Sequence, residues 1–358
     1  MAFVLVDGNI AHGLPILQHA TAGYSTRCMS FRYPSLLMTT AMKILNTIFP
    51  VFVMAGIGYA VAQCLLPYIA QQVSKEMPTT STIEDGVRRF LHTFTFNVAG
   101  PPYILVALWT STVALRDLGE PAAVAILMYI AMSAIAFAVA IARRWDIKER
   151  KAAVLALAST NCANYGLPVV LFAFGDIGLV LGAVYVVAHV LIHLTLGLGI
   201  ASWSTERSFL HQLKQLLKFP YIYAIALGLL LRSLGITPPV VVVRSLNLIG
   251  EMWIPLMLLL LGMELARVRI ATIWQKAALL TGLKLLLPPF IAWGVTVLLG
   301  ITGITQAVLI VESSMPTAVN GLLVARQCNT RPDLVASTLL LSTIGSIVTL
   351  SILLAILG

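Results

Sequence analysis

The sequence predicts an all-α polytopic membrane protein, with ten transmembrane helices arranged as a five-plus-five inverted repeat. Composition, the spacing of apolar runs and a repeated pattern of proline and polar residues carry this prediction. Hydrophobic residues fill 59% of the 358 positions, charged residues fill 10%, and the mean hydropathy is +0.94. A soluble domain has too little interior to bury this much apolar surface, so lipid is predicted to be its main solvent.

Apolar runs long enough to cross a bilayer recur along the chain. A spanning helix needs about 20 mainly apolar residues, and the sequence offers ten such runs bounded by charge, glycine or proline. Their approximate ranges are 43–65, 87–112, 120–142, 151–174, 177–203, 215–234, 240–265, 271–299, 304–327 and 333–357.

These runs divide the chain into two halves. Residues 1–39 form a leader, interpreted as a disordered tail or the product of an upstream translation start. The first repeat is predicted over 40–203, a cytoplasmic linker over 204–214 and the second repeat over 215–358. Because five helices per repeat is an odd number, the second half must enter the membrane from the opposite side.

Basic residues lie mostly in the connections between the apolar runs. The loop RRWDIKERK, 143–151, holds five positive charges and is predicted to be cytoplasmic. Alternation from that loop places 16 of the 23 lysines and arginines inside and 6 outside, which predicts extracytoplasmic termini in a plasma (inner) membrane protein. The net charge of +9 is therefore an orientation signal, and no nucleic-acid partner is predicted.

The first and sixth runs share a Phe-Pro pair followed by glycine. Pro50 precedes Gly58 by eight residues, and Pro220 precedes Gly228 by eight. In the second and seventh runs, Asn97 stands four residues before Pro101 and Glu251 four before Pro255. Asn97 is predicted either to line a cavity or to cap a broken turn. Matched features in the same order favour an internal repeat.

The fourth and ninth runs each carry polar residues and a proline in mid-segment. The candidate substrate-binding residues there are Asn161, Asn164, Pro168, Ser313, Ser314, Pro316 and Asn320. Proline removes a backbone donor and crowds the preceding turn, so both helices are predicted to break or kink. Irregular backbone at membrane depth survives only inside protein or beside a wet cavity. Two matched breaks therefore indicate the central site of a secondary transporter.

Two acids are candidate ion-coupling residues. Glu312 precedes the ninth-run break, where an ionisable side chain costs about 2.5 to 3.5 kcal/mol to insert. Three roles stay open: carrying a proton, binding Na⁺, or bracing two helices as a protonated donor. Glu251 is predicted to be a second buried acid, with Lys284 as a candidate partner. His189 and His193 lack a third ligand and are interpreted as a packed or hydrogen-bonding pair.

Chemistry other than transport finds little support in the sequence. No GxSxG, Walker, Rossmann or HExxH motif occurs in a usable context, and the four cysteines form no CxxC pair. No enzyme, metal or cofactor is predicted beyond a coupling proton or Na⁺. The alternative function from another class is a passive channel. The two differ because only a carrier accumulates substrate against a gradient.

Several stretches carry a family resemblance: NCANYGLPVVLFAFGDIGL, LLKFPYIYAIALGLLL, IPLMLLLLGMEL and the segment from Met315. From about residue 40 onward the chain resembles the bacterial branch of the auxin efflux carrier family, and more distantly the bile acid:sodium symporters. The resemblance implies a panel domain of the first, second, sixth and seventh helices and a transport domain of the rest. In that arrangement Pro168 and Pro316 mark the crossing of the two broken helices.

The resemblance also implies a function. Family members move small carboxylates, such as malonate or auxin-like acids, and an elevator movement across the lipid bilayer is expected. Glu312 occupies a place similar to a glutamate that helps bind sodium in the bile acid symporters, which makes a sodium-coupled symporter the alternative. Pro316 stands where such a symporter has a polar ligand, so proton coupling remains open. A homodimer is also left open.

Overall fold

The structure is a computed structural model that describes residues 36–67, 80–201, 220–266 and 274–357. Within these ranges the chain is helical almost throughout and has no strand. The predicted linker 204–214, and all but the last residues of the predicted leader 1–39, lie outside the described residues.

The helices follow one another with short connections. In chain order they are α1 (Leu36–Ala60), α2 (Thr80–Phe94), α3 (Gly100–Thr110), α4 (Gly119–Ala142), α5 (Ile147–Ala158), α6 (Leu167–Ile192), α7 (Leu198–Ala201), α8 (Pro220–Ser233), α9 (Val240–Gly250), α10 (Trp253–Leu265), α11 (Trp274–Leu298), α12 (Gly303–Ser313), α13 (Val319–Gln327) and α14 (Pro332–Leu357). π-helical turns lie at Val61–Leu65, Thr95–Ala99, Cys162–Gly166 and His193–Gly197.

The prediction of a multi-pass membrane protein is confirmed. Six helical stretches of the described chain are long and apolar enough to cross a membrane. They are Leu45–Leu65, Leu115–Ala142, Cys162–Ala201, Val240–Leu265, Trp274–Leu298 and Pro332–Leu357. Helices α8 and α12 are apolar but shorter. The count of ten spanning helices and the inverted relation of the halves stay predictions.

Helix α6 contains the connection between two predicted spans. Gly175 interrupts it with φ of 64° and ψ of −154°, a backbone conformation that residues with a Cβ rarely adopt. The sequence predicts the fourth run to end at 174 and the fifth to begin at 177, on either side of this glycine. Gly175 is therefore where the chain turns from one segment to the next.

Helix contacts divide the described chain into two groups. In the first, α1 packs along α10, and α3 packs against α8 and α9. In the second, α4, α5 and α6 pack together with α11, α12, α13 and α14. Every residue from Ala152 to Ala158 of α5 is buried, because its neighbours in the second group surround that helix.

The repeated glycines of the first and sixth runs lie at close helix contacts in the first group. A Cβ built on Gly58 would collide with the Leu259 carbonyl of α10, and one on Gly228 would lie 3.0 Å from Leu108 Cβ of α3. Small residues let membrane helices approach closely where no hydrophobic effect drives them together. The glycines that suggested a repeat therefore contribute to packing.

The backbone leaves helical geometry at both predicted breaks, after α5 and after α12. The two breaks cross there and form a short antiparallel bridge. Backbone polar groups that have left a helix are costly at membrane depth unless paired, and the breaks pair with each other. The contacts are the Thr160–Thr317 bridge, the Asn161 N–H donating to the Pro316 carbonyl at 2.8 Å and the Ala318 N–H donating to the Ser159 carbonyl at 2.9 Å.

The two prolines occupy different places in these breaks. Pro316 lies within the extended break after α12. Pro168 is the second residue of α6, beyond the π-helical turn Cys162–Gly166. The π-helical turn Cys162–Gly166 leads directly into α6, so irregular backbone lies before Pro168 in place of the predicted kink. The predicted break in this run is therefore real but lies at Ser159–Asn161, before the proline.

Candidate substrate and cation site

A cavity of about 440 Å³ lies between the two helix groups, beside the crossing. The first group lines it with side chains of α8 and α10, and α2, which contacts α10, adds side chains of its own. The second group lines it with both breaks, α13 and the α6 face that carries the histidines. The cavity includes three of the sequence-predicted residues, Asn161, Asn164 and Asn320.

The other predicted residues of the two breaks lie outside this lining. Pro168, Ser313, Ser314 and Pro316 are buried. Ser313 Oγ is 3.2 Å from the Tyr185 hydroxyl, and Ser314 Oγ donates to the Ile310 carbonyl at 2.6 Å. These residues hold the crossing together from behind the cavity wall. Asn97, in the π-helical turn after α2, is exposed and does not line the cavity.

The prediction that Glu251 is buried is wrong. The seventh run breaks at Glu251–Met252, between α9 and α10, and the turn leaves the Glu251 side chain exposed. There it borders a separate cavity of about 600 Å³ that Asp176 also lines. Its suggested partner has other contacts: Lys284 Nζ donates to the Leu157 carbonyl at 2.9 Å and to Thr160 Oγ1 at 2.7 Å.

Glu312 is completely enclosed at the end of α12, with 0% of its surface exposed. Neither carboxylate oxygen has a hydrogen-bond partner among the described residues. Two glycines of the fourth and fifth runs make room for it. A Cβ on Gly182 would lie 2.7 Å from Glu312 Oε1, and a Cβ on Gly166 would collide with Oε2.

This enclosure limits the states that the Glu312 carboxyl can adopt. An ionised carboxylate without a partner is very costly in an apolar interior. The group must therefore either hold a proton or pair with a cation that enters its niche. Carboxylate oxygens suit both a proton and a hard cation such as Na⁺.

The two histidines form hydrogen bonds at the crossing, as the sequence predicts. His189 Nε2 accepts from the Thr160 N–H at 3.1 Å. His193 Nδ1 lies 3.1 Å from both the Tyr129 hydroxyl and Ser159 Oγ. Because His189 Nε2 is an acceptor, Nδ1 of the neutral ring carries the hydrogen. That donor is buried, has no partner among the described residues and belongs to a cavity-lining side chain.

Several cavity residues were not predicted. The sequence interpretation used Arg88, Arg89 and Arg326 only as orientation signals, yet all three line the cavity with His92. Their positions near the ends of apolar runs were the available signal. Gly166 and Gly182 carried no comparable signal, because their role depends on which side chain the fold brings against them.

Crossed helix breaks, a cavity between two helix groups and an enclosed acid define a polytopic membrane transporter. Residues 204–354 match a family described as membrane transport protein. The match covers the second half of the chain and agrees with the resemblance to the auxin efflux carrier family.

Two archaeal relatives agree with this resemblance. An uncharacterized transporter of Methanothermobacter thermautotrophicus is 28% identical over 261 residues, which cover 73% of this chain and 86% of the relative. A second uncharacterized transporter, from Methanocaldococcus jannaschii, is 27% identical over 221 residues, or 58% of this chain and 69% of the relative.

Proposed function

We propose that this protein is a secondary active transporter of a small organic anion, a carboxylate such as malonate or an auxin-like acid. The observation that carries the proposal is the position of the 440 Å³ cavity, which contacts both helix groups and both breaks. A substrate bound there touches the two parts that must move relative to each other. Movement of one part past the other would expose the same site on the opposite side of the membrane.

The chemistry of the cavity suits a carboxylate. Arg88 and Arg326 bring two positive charges, Glu264 brings one acid, and Asn161 and Asn164 bring amide donors. Helix α13 begins beside the cavity, and the first amides of a helix carry a partial positive charge that favours anions.

An inverted repeat and an elevator movement complete the proposal. The first and sixth runs pack against the seventh and second runs respectively, as a two-fold relation between halves requires. The second and seventh runs are both irregular where Asn97 and Glu251 were matched. In this scheme the first helix group is the panel and the second moves. The arginine-lined mouth is cytoplasmic, and both termini are outside.

Glu312 is the proposed coupling residue. Its niche lies behind the crossing, so a proton or Na⁺ bound there would change the electrostatics of both breaks. The niche itself is compatible with either ion, and the experiment below separates them.

Uptake into proteoliposomes tests the proposal. Labelled malonate and an auxin-like acid are offered with a proton gradient, a sodium gradient or neither. We expect gradient-driven accumulation by the native protein and its loss in Glu312→Gln, which keeps the size but cannot ionise. Glu120→Gln, at the start of α4, is the matched control and should keep accumulation.

Two outcomes would contradict the proposal. Undiminished gradient-driven accumulation by Glu312→Gln would remove the coupling role. Counterflow against trapped unlabelled substrate distinguishes a carrier from a pore. Flux that shows no counterflow and never accumulates would identify a passive channel.

A further inference from the structure

The C-terminal end of α5 presents carbonyl groups at the crossing. The last four carbonyls of any helix have no partner within it and carry a partial negative charge. In α5 the Leu155 carbonyl accepts from the Ser159 N–H at 3.3 Å, and the Ala156 carbonyl accepts from Thr317 Oγ1 at 2.8 Å. The remaining two carbonyls need partners from elsewhere.

Lys284 satisfies one of them directly. Its ammonium donates to the Leu157 carbonyl at 2.9 Å and to Thr160 Oγ1 at 2.7 Å, and its surface is 0% exposed. Thr160 Oγ1 in turn lies 3.5 Å from the Ala158 carbonyl. The lysine comes from α11, so one helix supplies the cation for the broken end of another. A half-helix C-terminus of this kind is where a membrane transporter places a coupling cation.

The end of α12 is arranged differently. Its Ile310 carbonyl accepts from Ser314 N–H at 3.1 Å and from Ser314 Oγ at 2.6 Å, so local groups satisfy it. Within the described residues no lysine or arginine forms a hydrogen bond or an ion pair with this end. Instead it holds the Glu312 carboxyl, whose oxygens have no hydrogen-bond partner there. Helix α4, which corresponds to α11 if the halves repeat, contains no lysine or arginine.

We propose that Lys284 is a tethered cation: its ammonium fills the cation position at the end of α5 throughout the transport cycle. The niche of Glu312 is then the remaining position that a soluble cation enters and leaves. The statement about the Glu312 niche rests on the proposed function, whereas the statement about Lys284 concerns binding alone. It follows that the transporter moves with one exchangeable cation site rather than two.

Removing the Lys284 side chain and supplying a soluble ammonium in its place tests whether Lys284 fills a cation position. Lys284→Ala deletes the atoms that n-propylammonium supplies, whereas Lys284→Met fills the space without a charge. Thermal unfolding of the purified full chain is measured in choline, sodium and n-propylammonium chloride at equal ionic strength. Lys148→Ala, which removes an exposed lysine near the start of α5, is the control.

We expect n-propylammonium, and to a smaller extent sodium, to raise the Tm of Lys284→Ala by about 2 °C or more over choline. Lys284→Met and Lys148→Ala should show no gain in Tm over the native protein. Equal responses in all four proteins would overturn the proposal, because no cation position would then have opened.

A second measurement decides the matter if Lys284→Ala does not fold. Glu312→Gln keeps Lys284, so its Tm should not depend on sodium relative to choline. A sodium-dependent rise in that variant would mean that a cation site other than Glu312 is open, which contradicts the proposal. These Tm measurements report cation binding and do not depend on uptake. Failure of all anion uptake would refute the proposed function but would leave the Tm results unchanged.

Discussion

The substitution Gly182→Ala adds one methyl group beside Glu312 and tests whether the space left by this glycine is needed for cation binding. Gly182 lies in α6 without positive φ, so alanine is compatible with its backbone. The new Cβ would lie 2.7 Å from Glu312 Oε1, 3.0 Å from Leu167 Cδ2 and 3.1 Å from Val170 Cγ2. Ordinary contact begins at 3.4 Å, so the carboxylate must retreat by 3.4 − 2.7 = 0.7 Å.

The energetic effects of Gly182→Ala oppose each other. Replacing glycine by alanine inside a helix stabilises it by about 1 kcal/mol. Overpacking a close-packed interior costs about 1 to 3 kcal/mol. Stability should therefore fall by about 0 to 2 kcal/mol, a modest change. Cation affinity should fall about tenfold or more, which corresponds to about 1.4 kcal/mol, because the methyl group occupies the space beside the carboxylate.

The assay compares Gly182→Ala with Gly294→Ala. Gly294 lies in α11, and nothing lies within 4 Å of a Cβ built on it. Uptake is measured against the concentration of the coupling ion, and Tm is measured in parallel. Gly182→Ala should need about tenfold more coupling ion for half-maximal uptake, whereas Gly294→Ala should match the native protein. If uptake by the two variants depended identically on the ion concentration, the proposal that the coupling ion binds beside Glu312 would be refuted.

Two further predictions concern the crossing and its support. His189→Leu removes a cavity-lining side chain that accepts from the buried Thr160 N–H, so stability should fall by about 1 to 3 kcal/mol and the KM for the anion should rise. An unchanged Tm and KM would contradict this. Glu149→Ala removes the shared partner of Lys276 at 2.5 Å and Arg331 at 3.2 Å, so a loss of about 1 to 3 kcal/mol is expected in thermal unfolding. Asp117→Ala breaks the exposed Arg116 pair and should lower stability by less than about 1 kcal/mol, which makes it the control.

The membrane class and the positions of the helix breaks could be predicted because each depends on local sequence. Apolar runs report burial in lipid, and polar residues inside such a run report irregular backbone. The location of the break relative to Pro168 could not be predicted to the residue. A proline can end one helix or begin the next, and only the path of the chain through the crossing selects the second role.

Side-chain environment was predicted less well than backbone. Glu251 and Glu312 both follow apolar sequence and both precede a proline by four residues, yet one is exposed at a turn and the other is enclosed. The difference arises because the first helix group leaves its break at the surface. In the second group, the helix that carries Glu312 is surrounded by α4, α6, α11, α14 and the π-helical turn Cys162–Gly166. Burial of an acid therefore depends on how many helices pack around it.

The same comparison explains why a symmetric sequence pattern can support asymmetric chemistry. Both breaks repeat the motif of polar residues around a proline, and each lends backbone partners to the other. The charged groups do not repeat, since the end of α5 receives the Lys284 ammonium and the end of α12 receives the Glu312 carboxyl. The position filled by the Lys284 ammonium cannot exchange a cation with solvent. The Glu312 carboxyl, which has no hydrogen-bond partner among the described residues, can take up and release a cation. In the proposed cycle only the Glu312 position would therefore exchange an ion, and the direction of transport would follow the gradient of that ion.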